Sequence, residues 1–314
     1  MTSVTAFAPA TVSNVACGFD VLGFALHEPG DEVTARFARV AGVHIESILG
    51  DQGRLPRIAE RNTAGVAVIA LLKHLAETRG ISLSIFKGLP LSSGLGGSAA
   101  SAAAAVVAVD ALLGARCSQE TLLGCALEGE QIGAGSAHAD NIAPAIYGGF
   151  VLVRSAMPPD IVRLPVPPGL TAVVVHPDLE IETAKARALL GNTVALGDAV
   201  RQSANLGALI HSLHTNDFAL MSRSLEDVIA EPKRAPLVPG LAEIKRAAAA
   251  AGALGSSLSG SGPSLFALCA SVEIGRRVAD AMTAAVRAHI GGQPQTYVAQ
   301  VAEQGARVMS SCAS

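Results

Sequence analysis

Pro90-Leu91-Ser92-Ser93-Gly94-Leu95-Gly96-Gly97-Ser98-Ala99-Ala100-Ser101 joins two stretches of different periodicity. Before it, Ile81-Ser82-Leu83-Ser84-Ile85-Phe86 alternates apolar and polar residues and reads as a strand. From Ala99 to Leu113 small apolar residues dominate, and this run reads as a helix. The order is strand, glycine loop, helix. Glycines let the backbone turn sharply and let a ligand come close. The first amides of the helix have no partner within it and favour negative charge, so a phosphate is the natural guest. No Lys follows the glycines, so G-x-x-x-x-G-K-[S/T] fails, and G-x-G-x-x-G lacks its last glycine. A flexible connection is the plain alternative for any glycine-serine loop.

The rest of the chain limits the choices. Its 314 residues allow one large domain or two ordinary ones. Half of them are hydrophobic, but aromatics are only 3% and Trp is absent, so Ala, Val, Leu and Ile build the core and Ala-rich helices must pack closely. Net charge is −3 with no dense basic run, which leaves no electrostatic footprint for nucleic acid. Met1-Thr2-Ser3-Val4-Thr5 does not open a signal or transit peptide. The apolar stretches are rich in Ala and Gly and broken by polar residues, as in buried helices rather than membrane spans. Cys17, Cys117, Cys125, Cys269 and Cys312 form no C-x-x-C, which points to reduced thiols in a cytoplasm and to no metal cluster.

Taken in order, residues 4–8 alternate like a strand. Residues 9–26 enclose a turn, in which capping is the plain role of Asn14 and Asp20. Residues 31–43 read as a hairpin and 50–57 as irregular. Asn62 stands as an N-cap before an apolar helix over 63–72. Residues 118–131 read as a helix with Glu130 near its end, where a solvated charge is the plain reading. His138, Asp140 and Asn141 lie in a glycine-bracketed loop that begins at Gly133. A strand over 151–154 and the prolines from Pro158 to Pro168 place a domain boundary here, giving domains 1–157 and 158–314. A buried strand follows over 170–176, then a helix over 178–190 in which Thr183 and Arg187 share a face. A surface salt bridge with Glu180 is the plain role for Arg187. Residues 192–213, 217–229 and 241–251 read as helices, and His211 and His214 as structural. Glu231-Pro232-Lys233-Arg234 reads as an exposed turn. Residues 252–268 read as strand, glycine turn, strand, before a last helix over 272–289 and a last strand over 295–302.

The pattern Pro-x-x-x-Gly-Leu-Gly-x-Ser-Ala-Ala, from Pro90 to Ala100, resembles the phosphate loop of the galactokinase, homoserine kinase, mevalonate kinase and phosphomevalonate kinase (GHMP) superfamily. Those enzymes usually have serine where this chain has Gly97. A second stretch is more specific. Pro9-Ala10-Thr11-Val12-Ser13-Asn14-Val15-Ala16-Cys17-Gly18-Phe19-Asp20-Val21-Leu22-Gly23-Phe24-Ala25-Leu26 resembles the opening of the homoserine kinase family. His138-Ala139-Asp140-Asn141-Ile142-Ala143-Pro144 before Tyr147-Gly148-Gly149, and His176-Pro177-Asp178 before Thr183 and Arg187, are similar to the same family. The likeness runs in six ordered segments from Pro9 to Pro263.

That resemblance implies an α+β, two-domain GHMP kinase fold, with an N-terminal ribosomal-protein-S5-like domain, a C-terminal ferredoxin-like domain and the site in the cleft between them. It implies ATP and Mg2+ as cofactors and L-homoserine as the small-molecule substrate, phosphorylated on its hydroxyl to O-phospho-L-homoserine for threonine synthesis. By the same resemblance, Asn62 lies near the adenine. Leu91, Ser92, Ser93, Gly94, Leu95, Gly96, Gly97, Ser98, Ala99, Ala100 and Ser101 bind the nucleotide, and Ser98 and Glu130 hold the metal. Asn14, Asp20, His138, Asp140, Arg187, Arg234 and Gly260 meet the amino acid, and Thr183 sits near the transferred group. Two registers remain open at the position where mevalonate kinases hold an acidic residue. Anchoring on aromatic-Gly-Gly puts Asn141 there, and anchoring on Asp-Asn puts Asp140 there. The expected chemistry has no essential side-chain base: Asn141 orients the hydroxyl, and Asp140 is the residue able to overturn this. The implied setting is cytoplasmic, with no nucleic acid or membrane partner and room for a homodimer. The competing readings are a superfamily kinase for a mevalonate-type or sugar alcohol, and a non-catalytic nucleotide-binding regulator.

Overall fold

The computed structural model of the protein describes residues 2–134 and 138–312, in two sheets. The first sheet is built on β1 (Ser3–Ser13) and the long β2 (Leu22–Ala38), which pair antiparallel. β3 (Val43–Leu49) runs parallel to β4 (Gly80–Phe86), which pairs with β2. Residues 31–43 are therefore not a hairpin. β2 continues unbroken to Ala38, and β3 pairs with β4 through the crossover helix α1 (Thr63–His74), as a parallel pair requires.

Helix α2 (Gly97–Leu113) follows the glycine loop, and its residues Ala99–Val106 are buried on every side. A helix apolar all round has to be interior. Its alanines let β1, β2, α1 and α3 (Gln119–Ala134) pack closely around it. The glycine-bracketed loop expected from Gly133 begins in α3, and residues 135–137 lie outside the described residues. α4 (Ala139–Tyr147) follows, so Asp140 and Asn141 stand in a helix's first turn rather than in a loop.

β5 (Phe150–Ala156) pairs with the start of β2 and with β6 (Pro159–Leu164). The 157/158 division thus falls at a turn inside this sheet. β7 (Thr171–His176) opens the second sheet. Its alternation is decisive, because successive strand residues face opposite ways. Val173 and Val175 enter one core and Ala172 and Val174 the other.

The segment after β7 is mostly irregular, and only α5 (Thr183–Ala188) forms within the helix expected over 178–190. α6 (Leu196–Thr215) and α7 (Phe218–Ser224) follow. α7 ends earlier than expected because the Asp227 carboxylate takes the N–H groups of Ile229, Ala230 and Glu231 and opens α8 (Glu231–Arg234). That tetrapeptide is a buried helical turn, not an exposed one: Glu231 and Arg234 are both buried.

α9 (Leu241–Ala250), β8 (Gly255–Leu258), β9 (Leu265–Cys269), α10 (Val272–His289) and β10 (Gln295–Gln300) complete the second domain. The sheet order β10-β7-β9-β8, all antiparallel, with α9 and α10 on one face, is the ferredoxin-like arrangement expected. β10 is not the last strand. β11 (Arg307–Cys312) returns to the first sheet and pairs with β1. Among the described residues no helix is long and apolar enough to cross a membrane.

Candidate active site

The glycine loop and the strand–turn–strand of β8 and β9 are packed backbone to backbone. A Cβ on Gly94, whose φ is +77°, would meet the Ser259 carbonyl at 2.5 Å, and one on Gly96 would meet Thr11 Oγ1 at 2.0 Å. Only glycine allows both the left-handed backbone and this approach. The Ser259 hydroxyl donates to the Gly94 carbonyl at 2.7 Å, and Ser264 N–H to the Ser93 carbonyl at 3.2 Å. The loop is a fixed wall, not a flexible connection.

That wall bounds a cleft of about 820 Å³ between the two sheets. A volume of this size lies within the range of small-ligand sites. α2 starts at its edge with Gly96 in the N-cap position and no side chain capping it, so its opening amides are left for a ligand. Ser92, Ser93, Gly94, Gly96, Gly97 and Ser98 line the cleft, as does Leu91. Leu95, Ala99 and Ala100 do not: they are fully buried, and the Ala100 N–H is already bonded to the Gly96 carbonyl at 2.8 Å. Ser101 reaches the cleft lining, but its hydroxyl is spent on Asp31 at 2.7 Å. At the cleft's other side, the Asn62 side chain accepts from Ala64 N–H at 3.1 Å and donates to the Pro56 carbonyl at 2.9 Å. It both caps α1 and lines the cleft.

Glu130 is no solvated helix charge. It is 3% exposed, and its Oε1 accepts from the Ser98 hydroxyl at 2.9 Å. Its Oε2 is buried without a hydrogen-bond partner. Burial pushes this carboxyl up to about 7, against the Ser98 hydrogen bond and the charge of Lys87. A buried, half-satisfied carboxylate beside a hydroxyl is the donor set of a hard cation that also binds phosphate oxygens. Among the described residues no cluster of three or more His, Cys, Asp or Glu competes as a metal site.

The far end of the cleft is charged. Asn14, Val15, Ala16 and Asp20 all have positive φ, so the turn after β1 is tightly wound. Asn14 holds it: its Oδ1 accepts from Asp20 N–H at 3.1 Å and its Nδ2 donates to the Gly260 carbonyl at 2.9 Å. Asp20 pairs with Arg187 at 2.6 Å. Arg187 therefore does not bond to Glu180, which instead forms a two-pronged pair with Arg54, at 2.6 and 3.1 Å. Arg234 is 4% exposed, donates to the Gly260 carbonyl at 2.9 Å and keeps a buried Nε without a hydrogen-bond partner. Both guanidinium groups lie over the Phe19 ring, at 5.3 and 5.4 Å. The Thr183 hydroxyl is 3.4 Å from that of Ser261.

Asp140 and Asn141 point to different neighbours. Asn141 faces the glycine loop: it accepts from the Thr11 hydroxyl at 2.8 Å and donates to the Ser13 hydroxyl at 3.0 Å. Asp140 faces the Asn14 turn and accepts its N–H at 3.2 Å. Burial, then the nearby Asp20 charge, push the Asp140 carboxyl up to about 7. His138 precedes them at the helix N-cap, and burial lowers its imidazole below the usual value.

Several lining residues have no motif in the sequence. Lys87 is the most notable, buried under the glycine loop and bonded to Asp31. Its partner lies two strands away, and only the pairing of β2 with β4 brings the two together. Its place just after a strand and before Pro90 is the one local hint.

The family model for the GHMP kinases N terminal domain matches residues 62–149, and that for the GHMP kinases C terminal domain matches residues 187–288. The chain is 49% identical to a homoserine kinase of Chlorobium phaeobacteroides, over 98% of this chain and 100% of that one. A homoserine kinase of Chlorobium phaeovibrioides matches equally, at 49% over the same shares. The crystal structure of homoserine kinase from Cytophaga hutchinsonii superposes with a TM-score of 0.96 and 49% identity, covering 98% of both chains.

Proposed function

The chain belongs to the GHMP kinases and, within them, to the homoserine kinase family, and from that premise we propose that it transfers the γ-phosphoryl group of ATP to the hydroxyl of L-homoserine, a step of threonine synthesis. One observation carries the reading. The same cleft has an uncapped helix start at one end and, at the other, opposite charges on Asp20 and Arg187 held 2.6 Å apart. The first suits phosphates, and the second suits a zwitterionic amino acid.

The hydroxyl oxygen attacks the γ-phosphorus as the bond to the leaving ADP oxygen breaks, and its proton passes to the transferred phosphoryl group. A loose transition state needs positioning and charge neutralisation more than early proton removal. The loop amides of Gly94, Gly96, Gly97 and Ser98 hold the phosphates, and Asn62 borders the adenine. Arg187 and Arg234 grip the carboxylate, and Asp20 takes the ammonium. Asn14, His138 and Gly260 shape that end, and Thr183 stands by the transferred group. Asn141, steadied by Thr11 and Ser13, orients the hydroxyl. Ser98 and Glu130 fit Mg2+, since the buried Oε2 of Glu130 lacks a partner. The ion, when bound, neutralises phosphate charge. All five cysteines are free thiols, which supports a reducing cytoplasm.

The test is ADP release with homoserine, mevalonate and galactose as acceptors. Homoserine is expected to be the preferred acceptor by orders of magnitude. Equal turnover of mevalonate or galactose would move the protein to another branch of the superfamily, and nucleotide binding without turnover of any acceptor would favour a regulator.

A further inference from the structure

Lys87 lies beneath the glycine loop with its side chain 3% exposed, and its partner Asp31 is fully buried. Its ammonium donates to Asp31 Oδ2, to the Gly97 carbonyl at 2.7 Å and to Ser101 Oγ at 2.8 Å, which uses all three protons. Asp31 Oδ1 takes the N–H groups of Gly88 at 3.0 Å and Leu89 at 3.2 Å. A buried ion pair is weak evidence for stability, because desolvation offsets the attraction. Its position is more telling. Gly97 opens α2, and in a trans peptide the N–H of the next residue points away from the carbonyl. A cation bonded to the Gly97 carbonyl therefore fixes the plane of the Gly97–Ser98 peptide and directs the Ser98 N–H away from itself. It also polarises that N–H, as chained hydrogen bonds do.

We propose that Lys87 is a positioning residue for phosphate binding, acting through the Gly97 carbonyl. It supplies from below the charge that the loop lacks in its own sequence, where no Lys follows the glycines. Asp31 is the counter-charge of the ammonium, which the Gly97 carbonyl and Ser101 hydroxyl also hold in place. The proposal rests on the kinase reading, because it needs a nucleotide phosphate as guest.

The experiment measures dissociation constants of ADP and adenosine, by calorimetry and competition, for the wild type, Lys87→Met and Asp31→Asn. Lys87→Met should weaken ADP by roughly ten- to a hundred-fold and leave adenosine within about twofold. Equal loss of both ligands, or no loss of either, would overturn the proposal, since a structural role acts on both alike. Asp31→Asn keeps the lysine and removes its counter-charge. The ratio of adenosine to ADP dissociation constants should then hold or rise while the melting temperature falls; a fall in that ratio overturns the proposal, and this arm decides alone if Lys87→Met does not fold. A wild-type protein that binds no ADP would instead refute the kinase reading.

Discussion

Asp20 and Arg187 already hold each other before any ligand arrives. A zwitterion exchanges that contact for two new ones, whereas an acid without an ammonium takes Arg187 and leaves Asp20 without a partner. On the proposed reading the pair therefore acts against hydroxy acids. 4-Hydroxybutyrate, which is homoserine without its ammonium, should be a poor acceptor, and Asp20→Asn should narrow the gap in kcat/KM between the two by about tenfold. An unchanged gap would remove Asp20 from recognition. Two of the buried carboxyls, Glu130 and Asp140, contribute to the pH behaviour through raised values. Burial raises Glu130 and Asp140 to about 7 from 4.5 and 3.8. Their contribution to the stability of the free protein is thus complete below the unfolded values and is lost as pH rises through about 7. On the proposed reading Glu130 holds the metal in its ionised form, so metal affinity should run the other way and strengthen as pH rises through about 7. Glu130→Gln should reduce the stability change between about pH 5 and about pH 8, leaving the Asp140 share, and abolish most turnover. Asp140→Asn separates orientation from proton transfer. A higher KM with turnover within about tenfold fits orientation, and a loss of several orders in folded protein that still binds both ligands would make Asp140 the base.

Among the elements, α8 shows how a four-residue turn is made rigid enough to aim a side chain. Glu231 bonds to Lys245 and to the Ser257 hydroxyl, and takes the Leu258 N–H at 3.3 Å. Arg234 then meets Gly260 from the last position of the same turn. Glu231→Ala should destabilise the fold by about 1–3 kcal/mol, the penalty for stripping buried polar groups of a partner. It should also raise the homoserine KM while leaving ADP affinity unchanged, which titration of both ligands would check. None of this is visible in Glu231-Pro232-Lys233-Arg234 alone, because three charged residues and a proline look like surface. Asn62 is the opposite case. An Asn before an apolar run is a local signal, and it caps α1 through the Ala64 N–H as read.

Over the whole molecule, β11 ties the second domain back to the first sheet through β1. Ending the chain after residue 304 would leave β1 as a bare edge, and open edges invite association. Such a variant should melt lower, on the order of 5 °C, and aggregate on heating; the same melting temperature with no aggregation would make β11 dispensable. The strand, loop and helix around Pro90, the Ala-rich buried helix, the four strands of the second sheet and the family membership were legible in the sequence. They rest on periodicity, on glycine and capping chemistry, and on ordered motifs, all of which act between near neighbours. The tertiary structure alone decided that Arg187 faces Asp20 rather than Glu180, that Lys87 lies under the loop against Asp31, and that Arg234 is buried. It also made β3 a parallel partner of β4 and placed β11 beside β1. The reason is common to all of these. Each depends on which distant segments a sheet register or a domain interface brings within a few ångströms, and the order of residues along the chain does not encode that distance locally.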